Sequence, residues 1–160
     1  MSLVFQVTPR QRLIIVDHAV AQMNAFAQRR WWQTEAGGVL LGRHLLDSAD
    51  VVVDEVTTPQ DLDRRSRFGF FRSTRHEALA RKRWQEQMST MAYLGLWHTH
   101  PQEDPVPSSV DHSDWQQAIT GDTFEGDRLF FPIVGTHRIR VWNLSRQGHF
   151  EELKVEDKNA

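Results

Sequence analysis

The stretch that decides the fold is Gly95-Leu-Trp-His-Thr-His-Pro-Gln-Glu-Asp-Pro-Val-Pro-Ser-Ser-Val-Asp111. Its first residues continue an apolar run, and Met91–His100 is therefore predicted to be a strand. The three prolines that follow force a loop. Ser108 or Ser109 is then a candidate N-cap, so a helix is predicted from there to about Ile119. The proline-rich loop allows the helix to return to the end of the strand.

The two histidines of this segment have a spacing that suits metal ligands on a strand. His98 and His100 are two residues apart, so their side chains point to the same face. Ser108 and Asp111 are three residues apart and share one face of the predicted helix. Two imidazoles and one carboxylate leave a fourth position for water, as in catalytic zinc sites. Zinc is the favoured ion, although nickel, cobalt and iron accept the same ligands, and Asp114 is an alternative ligand.

Simpler roles exist for the same residues. Two histidines at this spacing occur often by chance, Ser108 can act only as a helix cap, and Asp111 can act only on the helix dipole. The combination of strand, imidazole pair, rigid loop and polar helix start favours a metal site. The residues alone do not identify a general base. Four glutamates remain candidates at this point: Glu35, Glu55, Glu86 and Glu103.

The composition limits the classes of protein to which the chain can belong. It has no cysteine, which excludes disulfides, thiol nucleophiles and cysteine-based metal sites. The formal net charge of −2 argues against a broad phosphate-binding surface, so no nucleic-acid partner is expected. No apolar run approaches the roughly 20 residues that span a bilayer, and no secretion signal is evident. We expect a cytoplasmic protein, not bound to a membrane, with one domain over residues 1–160.

The remaining segments alternate between strand and helix patterns. Further strands are predicted at Leu3–Val7, the apolar part of Glu35–Gly42, Val51–Val56, Phe68–Phe71, Leu129–Val134, Arg138–Asn143 and His149–Val155. Further helices are predicted from Asp17, as its own cap, to about Gln28 and from Thr74, capped by Ser73, to about Met88. Thr57–Arg67 is predicted to be a loop and Asp47–Asp50 a hairpin turn. Together they predict an α/β sandwich, a curved mixed sheet with helices on its faces.

The spacing of the polar residues resembles the motif of a known family. His98-x-His100, seven residues, Ser108, two residues and Asp111 match the H-x-H-x7-S-x2-D motif of JAMM, or MPN, domains at every position. That family also has a glutamate before a strand of the form E-x-x-G-x-L-x-G, which Glu35 and the residues after it match. The resemblance covers most of the chain. It implies a single JAMM/MPN domain with the cytidine-deaminase-like α/β sandwich of that family.

The resemblance also implies a role for each motif residue. In JAMM metalloproteases, which remove ubiquitin-like proteins, the positions of His98, His100 and Asp111 bind Zn²⁺. The position of Glu35 is the general base that takes a proton from water and later donates it to the leaving amine. The position of Ser108 donates a hydrogen bond to the developing oxyanion.

Two longer stretches narrow the resemblance further. EAGGVLLGRH (35–44) and GLWHTHPQEDPVPSSVDHSDW (95–115) resemble the stand-alone JAMM deconjugase of type II CBASS antiphage operons, a family also known as integrative and conjugative element proteins. In that family an E1–E2 fusion joins a cGAS-like nucleotidyltransferase to target proteins through its C-terminal tail. The JAMM enzyme then hydrolyses the amide bond after that C-terminal residue. The substrate implied is a conjugate with an extended C-terminal tail, and E1- and E2-like enzymes are its functional neighbours.

Three other functions remain as alternatives. A JAMM peptidase can instead process a ubiquitin-like or sulfur-carrier protein. A non-catalytic MPN scaffold is disfavoured because all five motif residues are retained. A nucleic-acid-associated factor is disfavoured by the net charge.

Aromatic and arginine-rich stretches outside the motif allow two interpretations each. Trp97 and Trp115 flank the predicted site, and packing in the core is favoured for both over contact with substrate. Trp31 and Trp32 either pack on the sheet or leave one ring exposed for a partner. Thr57–Arg72 is rich in arginine and is either a solvated loop or a clamp on the substrate's tail, as loops near this place are in related enzymes.

Overall fold

A computed structural model describes residues 1–87 and 91–156 of the chain. Within these ranges the elements are β1 (Leu3–Thr8), β2 (Gln11–Ile15), α1 (Asp17–Asn24), β3 (Gly37–His44), β4 (Val51–Val56), β5 (Arg64–Ser66), β6 (Gly69–Phe71), α2 (Arg75–Glu86), β7 (Ala92–Thr99), α3 (Ser109–Gly121), β8 (Arg128–Val134), β9 (Ile139–Ser145), β10 (Phe150–Glu152) and β11 (Lys154–Val155). None of these helices combines the length and the apolar character that crossing a bilayer requires.

Nine strands form one curved mixed sheet in the order β10-β9-β8-β7-β3-β4-β2-β1-β11. The β2–β4 and β7–β8 pairs are parallel, and the other pairs are antiparallel. β10 and β11 lie at opposite ends of this order, although only Leu153 separates them in the sequence. One short segment therefore joins both edges, and the sheet must curve back on itself. β5 and β6 form a separate two-stranded hairpin.

Apolar residues cover both faces of the sheet, which explains why helices lie on both sides. Leu40 belongs to one buried cluster, whereas its neighbours Val39 and Leu41 belong to the other. This is the alternation expected of a strand that is buried on both faces. α1 adds Met23 to the first cluster, and α3 adds Trp115 to the second. The predicted α/β sandwich, with a curved mixed sheet between helices, is confirmed.

The strand–loop–helix segment folds as its sequence predicts. β7 begins at Ala92 and ends at Thr99, and α3 begins at Ser109 and ends at Gly121, close to the predicted bounds. β7 occupies the middle of the sheet between β3 and β8. The predicted hairpin of β3 and β4 also forms, with antiparallel pairing across the turn.

Two predictions for the first part of the chain are wrong. The first helix ends at Asn24 and not near Gln28, and Asp17 lies inside the helix because Val16 is the N-cap. Gln28 is needed elsewhere: its buried side chain accepts a hydrogen bond from Thr99 Oγ1 at 2.8 Å and donates to the carbonyl of Arg67 at 2.9 Å. β2 was not predicted.

Three further boundaries differ from the prediction because backbone groups find other partners. Arg64–Ser66, expected within a loop, pairs with Gly69–Phe71 as β5. Ser73 does not cap α2: its backbone N–H donates to Asp63 at 2.7 Å, and Thr74 holds the N-cap position. The single strand predicted at His149–Val155 is two strands, because its halves pair with opposite edges of the sheet. The predicted end of α2 at Met88 lies outside the described residues.

Gly95 is the position where the sheet tolerates a side chain least. Its φ is +150°, and an added Cβ would lie 1.8 Å from the carbonyl oxygen of Phe130. We expect Gly95→Ala to lower the free energy of unfolding by on the order of 3 kcal/mol, through backbone strain and overpacking. Thermal unfolding measures this. Gly121→Ala is the control, since no atom lies within 4 Å of its added Cβ. Equal melting temperatures for the two variants would contradict the packing described here.

Candidate metal centre

The two predicted histidine ligands meet at the end of β7. His98 lies in β7 and pairs with Gly37 of β3, and His100 follows the last residue of the strand. The backbone N–H of His100 donates to the carbonyl of Val134 at 3.0 Å, which continues the pairing with β8. Both imidazoles are buried, and their Nε2 atoms lie 3.0 Å apart. The predicted shared face of the two side chains is therefore present.

Asp111 reaches the same point from the first turn of α3. Its Oδ1 lies 3.2 Å from His98 Nε2, and its Oδ2 lies 3.2 Å from His100 Nε2. A capping box holds this carboxylate in place. The backbone N–H of Ser108 donates to Asp111 Oδ2 at 2.8 Å, while the N–H of Asp111 donates to Ser108 Oγ at 3.1 Å. The helix start thus fixes the direction of the carboxylate.

The three side chains fit a small divalent cation. The two imidazole nitrogens lie 3.0 Å apart, and each lies 3.2 Å from a different oxygen of the Asp111 carboxylate. Ligands at about 2.0–2.1 Å from a tetrahedral ion are separated by about 3.3 Å, which agrees with these distances. Two neutral imidazoles that meet at 3.0 Å share at most one hydrogen bond, whereas a cation accepts both lone pairs. The donor types suit zinc and other first-row ions.

Gln102 selects the tautomer that a metal ligand requires. Its Oε1 accepts the backbone N–H of Val106 at 3.1 Å and lies 3.2 Å from His100 Nδ1. Since Oε1 can only accept, His100 Nδ1 carries a hydrogen, which leaves Nε2, the nitrogen that faces His98 and Asp111, as the atom available to a metal. No motif in the sequence points to Gln102. Its one signal is its position two residues after a predicted ligand.

The electrostatics of the three side chains favour a charged carboxylate between two imidazoles. Burial acts to raise the pKa of Asp111, but the hydrogen bonds with His100 and His98 outweigh it and hold that pKa well below its usual range. Burial lowers the pKa of His98. Burial would lower the pKa of His100 too, but the hydrogen bond with Asp111 raises it overall.

Glu35 approaches the three side chains from a position two residues before β3. Its Oε1 lies 3.8 Å from His100 Nε2, and its side chain is buried. Burial raises the pKa of Glu35 to about 7, against the opposing effect of His100. Its backbone is fixed on both sides, because its N–H donates to Ser66 O at 2.7 Å and its carbonyl accepts Arg65 Nε at 2.8 Å. Glu55 and Glu86, two of the other candidates, are instead bonded to Arg83.

Ser108 faces the same cleft from the N-cap of α3. Its Oγ accepts the N–H of Asp111, so the predicted capping role is confirmed. The hydroxyl hydrogen remains able to donate to a molecule in the cleft. Asp114 does not join the ligands: both of its oxygens accept hydrogen bonds from Arg72, at 3.0 and 2.7 Å. Among the described residues, the acidic and histidine side chains that converge for a metal are His98, His100 and Asp111.

A cleft lined by residues of α2 and α3 contains these side chains. Its floor includes Val39, Leu96 and Tyr93, and the ion pair of Arg72 and Asp114 lies at its wall. The cleft encloses about 1410 Å³. Pockets for small ligands enclose about 300–1,000 Å³, so this cleft is large enough for an extended peptide.

Comparison with known proteins identifies the family. Residues 17–145 match the family of prokaryotic homologs of the JAB domain. The chain belongs to this family. The resemblance to JAMM/MPN domains that the motif indicates is therefore confirmed.

The JAB domain has similar relatives whose activity is named. A protein of Escherichia coli is 30% identical over 131 residues, which cover 81% of this chain and 79% of the relative. A protein of Vibrio cholerae is 29% identical over 136 residues, covering 84% and 83%. One from Pseudomonas aeruginosa is 40% identical over 84 residues, which span about half of each chain (52%). Each of these relatives is called a CD-NTase/cGAS isopeptidase.

A solved structure shows the same fold. The solution structure of a protein from Desulfitobacterium hafniense superposes with a TM-score of 0.60, covering 91% of this chain and 94% of the other. Its sequence identity of 23% supports the fold alone.

A buried polar network behind the site anchors the strands of the JAB domain to the loop after β4. Asp63 Oδ2 lies 2.7 Å from His76 Nε2, and His76 Nδ1 lies 2.6 Å from Thr57 Oγ1. The backbone N–H of Val39 also donates to Thr57 Oγ1, at 2.8 Å, and Trp97 Nε1 donates to the carbonyl of Thr57 at 2.9 Å. Neither hydrophobic periodicity nor a sequence motif distinguishes Asp63 from the other aspartates. The core position predicted for Trp97 and Trp115 is confirmed, since both are buried.

The geometry predicts which aspartate the metal needs. We expect Asp111→Asn to weaken zinc binding by at least about 100-fold, because changes one step further from a metal already cost about 10- to 100-fold. Asp114→Asn is the matched control and should retain the wild-type affinity within about tenfold, since Asp114 contacts Arg72. Calorimetric titration with Zn²⁺ and the visible absorption of bound Co²⁺ measure both. Loss of affinity in Asp114→Asn alone would reassign the third ligand.

Proposed function

We propose that this chain is a zinc-dependent isopeptidase that releases a cGAS-like nucleotidyltransferase, or CD-NTase, from the proteins to which it is conjugated. The bond cut is the amide after the C-terminal residue of the nucleotidyltransferase. The observation that carries the proposal is the convergence of His98, His100 and Asp111 beside the buried Glu35, in a cleft large enough for an extended peptide. The names of the relatives support the substrate class.

The donor set supports zinc as the cofactor, with His98, His100 and Asp111 as its ligands. When bound, zinc supplies Lewis acidity, which lowers the pKa of a water molecule and polarises the carbonyl of the scissile amide. Gln102 keeps the His100 lone pair directed at the ion, and the Ser108 N–H keeps Asp111 directed at it.

Glu35 and Ser108 have the positions for the proton transfer and for the developing charge. Glu35, 3.8 Å from His100, accepts a proton from the attacking water and donates it to the leaving amine. Ser108 donates its hydroxyl hydrogen to the carbonyl oxygen as negative charge develops there. Ser108 is a poor nucleophile here because both nearby imidazoles face Asp111. Water therefore attacks the amide directly, without a covalent enzyme intermediate.

The experiment that tests the function uses a defined conjugate. A CD-NTase is joined to a target by its cognate E1–E2 enzyme and incubated with the zinc-loaded protein, with and without a chelator. We expect release of the nucleotidyltransferase with its C-terminal residue intact by mass spectrometry, loss of release with the chelator, and recovery on adding Zn²⁺. Cleavage of a sulfur-carrier fusion but not of this conjugate would change the substrate. Absence of both metal binding and cleavage would favour the non-catalytic scaffold.

Substitution of two glutamates, one at a time, distinguishes the proposed general base from an acidic residue without a catalytic role. We expect Glu35→Gln to lower kcat by about 10³-fold, the usual effect of a general acid–base, while zinc affinity stays within a few-fold of wild type. Glu103→Gln is the control, because Glu103 is an exposed residue of the loop between β7 and α3. Steady-state cleavage and zinc titration are measured on both. Turnover by Glu35→Gln at the wild-type rate would remove Glu35 from the role.

The cytoplasmic location of the protein and its functional link to E1- and E2-like enzymes stay predictions. Genomic neighbours of the coding sequence test the latter.

A further inference from the structure

One face of the protein, next to the site, concentrates arginine and exposed aromatic side chains. It is formed by two segments, 29–32 (RRWW) and 64–68 (RRSRF), which we name the arginine–aromatic face. The two segments contain five arginines and no aspartate or glutamate. The chain as a whole has a formal net charge of −2, so this positive charge is a local feature.

Contacts between the two segments make the face continuous. The guanidinium of Arg67 donates to the carbonyls of Arg30 and Trp31. Gln28, which immediately precedes the first segment, donates to the carbonyl of Arg67 at 2.9 Å. The two segments are therefore held side by side by hydrogen bonds to buried or backbone groups.

The arginines of this face lack the carboxylate partners that other arginines have. Arg12 and Arg43, for example, form ion pairs with Asp50 and Asp54, each at 2.8 Å. Across residues 1–87 and 91–156, no aspartate or glutamate lies within 4.0 Å of a guanidinium nitrogen of the face. Arg29, Arg65 and Arg67 donate to backbone carbonyls, which leaves their positive charge without a neutralising carboxylate. Such a cluster of like charges is unfavourable in the free protein, and an anionic partner would relieve it.

Aromatic rings take the place of acids beside these arginines. The Arg30 guanidinium lies 5.9 Å from the centroid of the Trp32 ring, and that of Arg67 lies 5.5 Å from the centroid of Phe68. The exposed fractions of Trp31, Trp32 and Phe68 are 77%, 61% and 77%. Tryptophan, phenylalanine and arginine together are the composition of binding interfaces, where they contribute most of the affinity. Guanidinium groups that rest on rings are also partly ordered before binding.

The face is attached directly to the site. Glu35 donates its N–H to the carbonyl of Ser66 at 2.7 Å and accepts Arg65 Nε on its own carbonyl at 2.8 Å. A polypeptide bound to the face would therefore lie beside the scissile bond, and the partner should be part of the substrate.

We propose that the arginine–aromatic face binds an acidic segment of the conjugated nucleotidyltransferase that this site releases. Apolar residues are interspersed in that segment. The inference rests on the proposed function for the identity of the partner. Carboxylates match the fork of the guanidinium, and apolar side chains cover the exposed rings. A polypeptide is favoured over a nucleic acid because the face adjoins the proposed peptidase site and the chain outside the two segments has a net negative formal charge.

A binding measurement tests the face without turnover. The probe is a fluorescein-labelled peptide rich in glutamate with a few phenylalanines, and its anisotropy is followed with increasing protein. We expect binding by the wild type that weakens with salt, and a Kd at least about tenfold higher for Arg30→Glu/Arg64→Glu and for Trp31→Ala/Trp32→Ala. Arg10→Glu, in the turn between β1 and β2, should stay within twofold of wild type.

Several results would overturn the proposal. They are no binding by the wild type, equal binding of a peptide with lysine in place of glutamate, tighter binding of oligothymidylate, and an unchanged Kd in both double variants. Self-association of the wild type that Arg30→Glu/Arg64→Glu abolishes would assign the face to a second copy.

Cleavage of two substrates tests whether the face serves catalysis. We expect Arg30→Glu/Arg64→Glu to lower the selectivity for the full conjugate over a short junction peptide, the ratio of the two kcat/KM values, by at least about tenfold. Arg10→Glu should leave the ratio unchanged. Equal ratios for wild type and double variant would reject the docking role while leaving the peptidase function intact. Failure of the wild type to cleave either substrate would reject the proposed function, and the binding measurement would still report on the face.

Discussion

The carboxylate of Asp111 is the contact on which the rest of the site depends. It lies 3.2 Å from each of two imidazoles on the sheet and accepts a hydrogen bond from the backbone of Ser108 at the helix start. The same four-residue turn therefore begins α3, orients the proposed third ligand and places the Ser108 hydroxyl. If the start of α3 moved by about 1 Å, the Asp111 carboxylate and the Ser108 hydroxyl would both leave their positions. The prolines of the loop between β7 and α3 restrict such movement.

The other half of the site depends on how the loop after β4 is tied to the sheet. The buried side chains of Asp63, His76 and Thr57 form a series of hydrogen bonds. Through the N–H of Val39, this series joins the loop to β3. The hairpin of β5 and β6 follows this loop in the sequence, and its residues form hydrogen bonds with the backbone of Glu35. The proposed base and the arginine–aromatic face are thus held by the same hairpin.

The sequence predicts the features that depend on residues close together along the chain. The convergence of His98, His100 and Asp111 follows from side-chain direction at spacings of two on a strand and three on a helix, and the resemblance to the family motif favours Glu35 among four glutamates. What it misses depends on distant partners. β5 forms because Arg64–Ser66 meets Gly69–Phe71, α1 stops early because Gln28 bonds to Thr99, and His149–Val155 divides because its halves pair with opposite edges of the sheet. Neither periodicity nor propensity records such contacts.

We propose that His98, His100 and Asp111 bind one zinc ion and leave a position open for water. Anomalous diffraction from zinc-loaded crystals, measured on both sides of the zinc absorption edge, tests it most directly. The account predicts one strong peak at about 2.0–2.2 Å from a nitrogen of each histidine and an oxygen of Asp111, with no fourth protein ligand. A peak elsewhere, or a fourth side chain that closes the site, would contradict it.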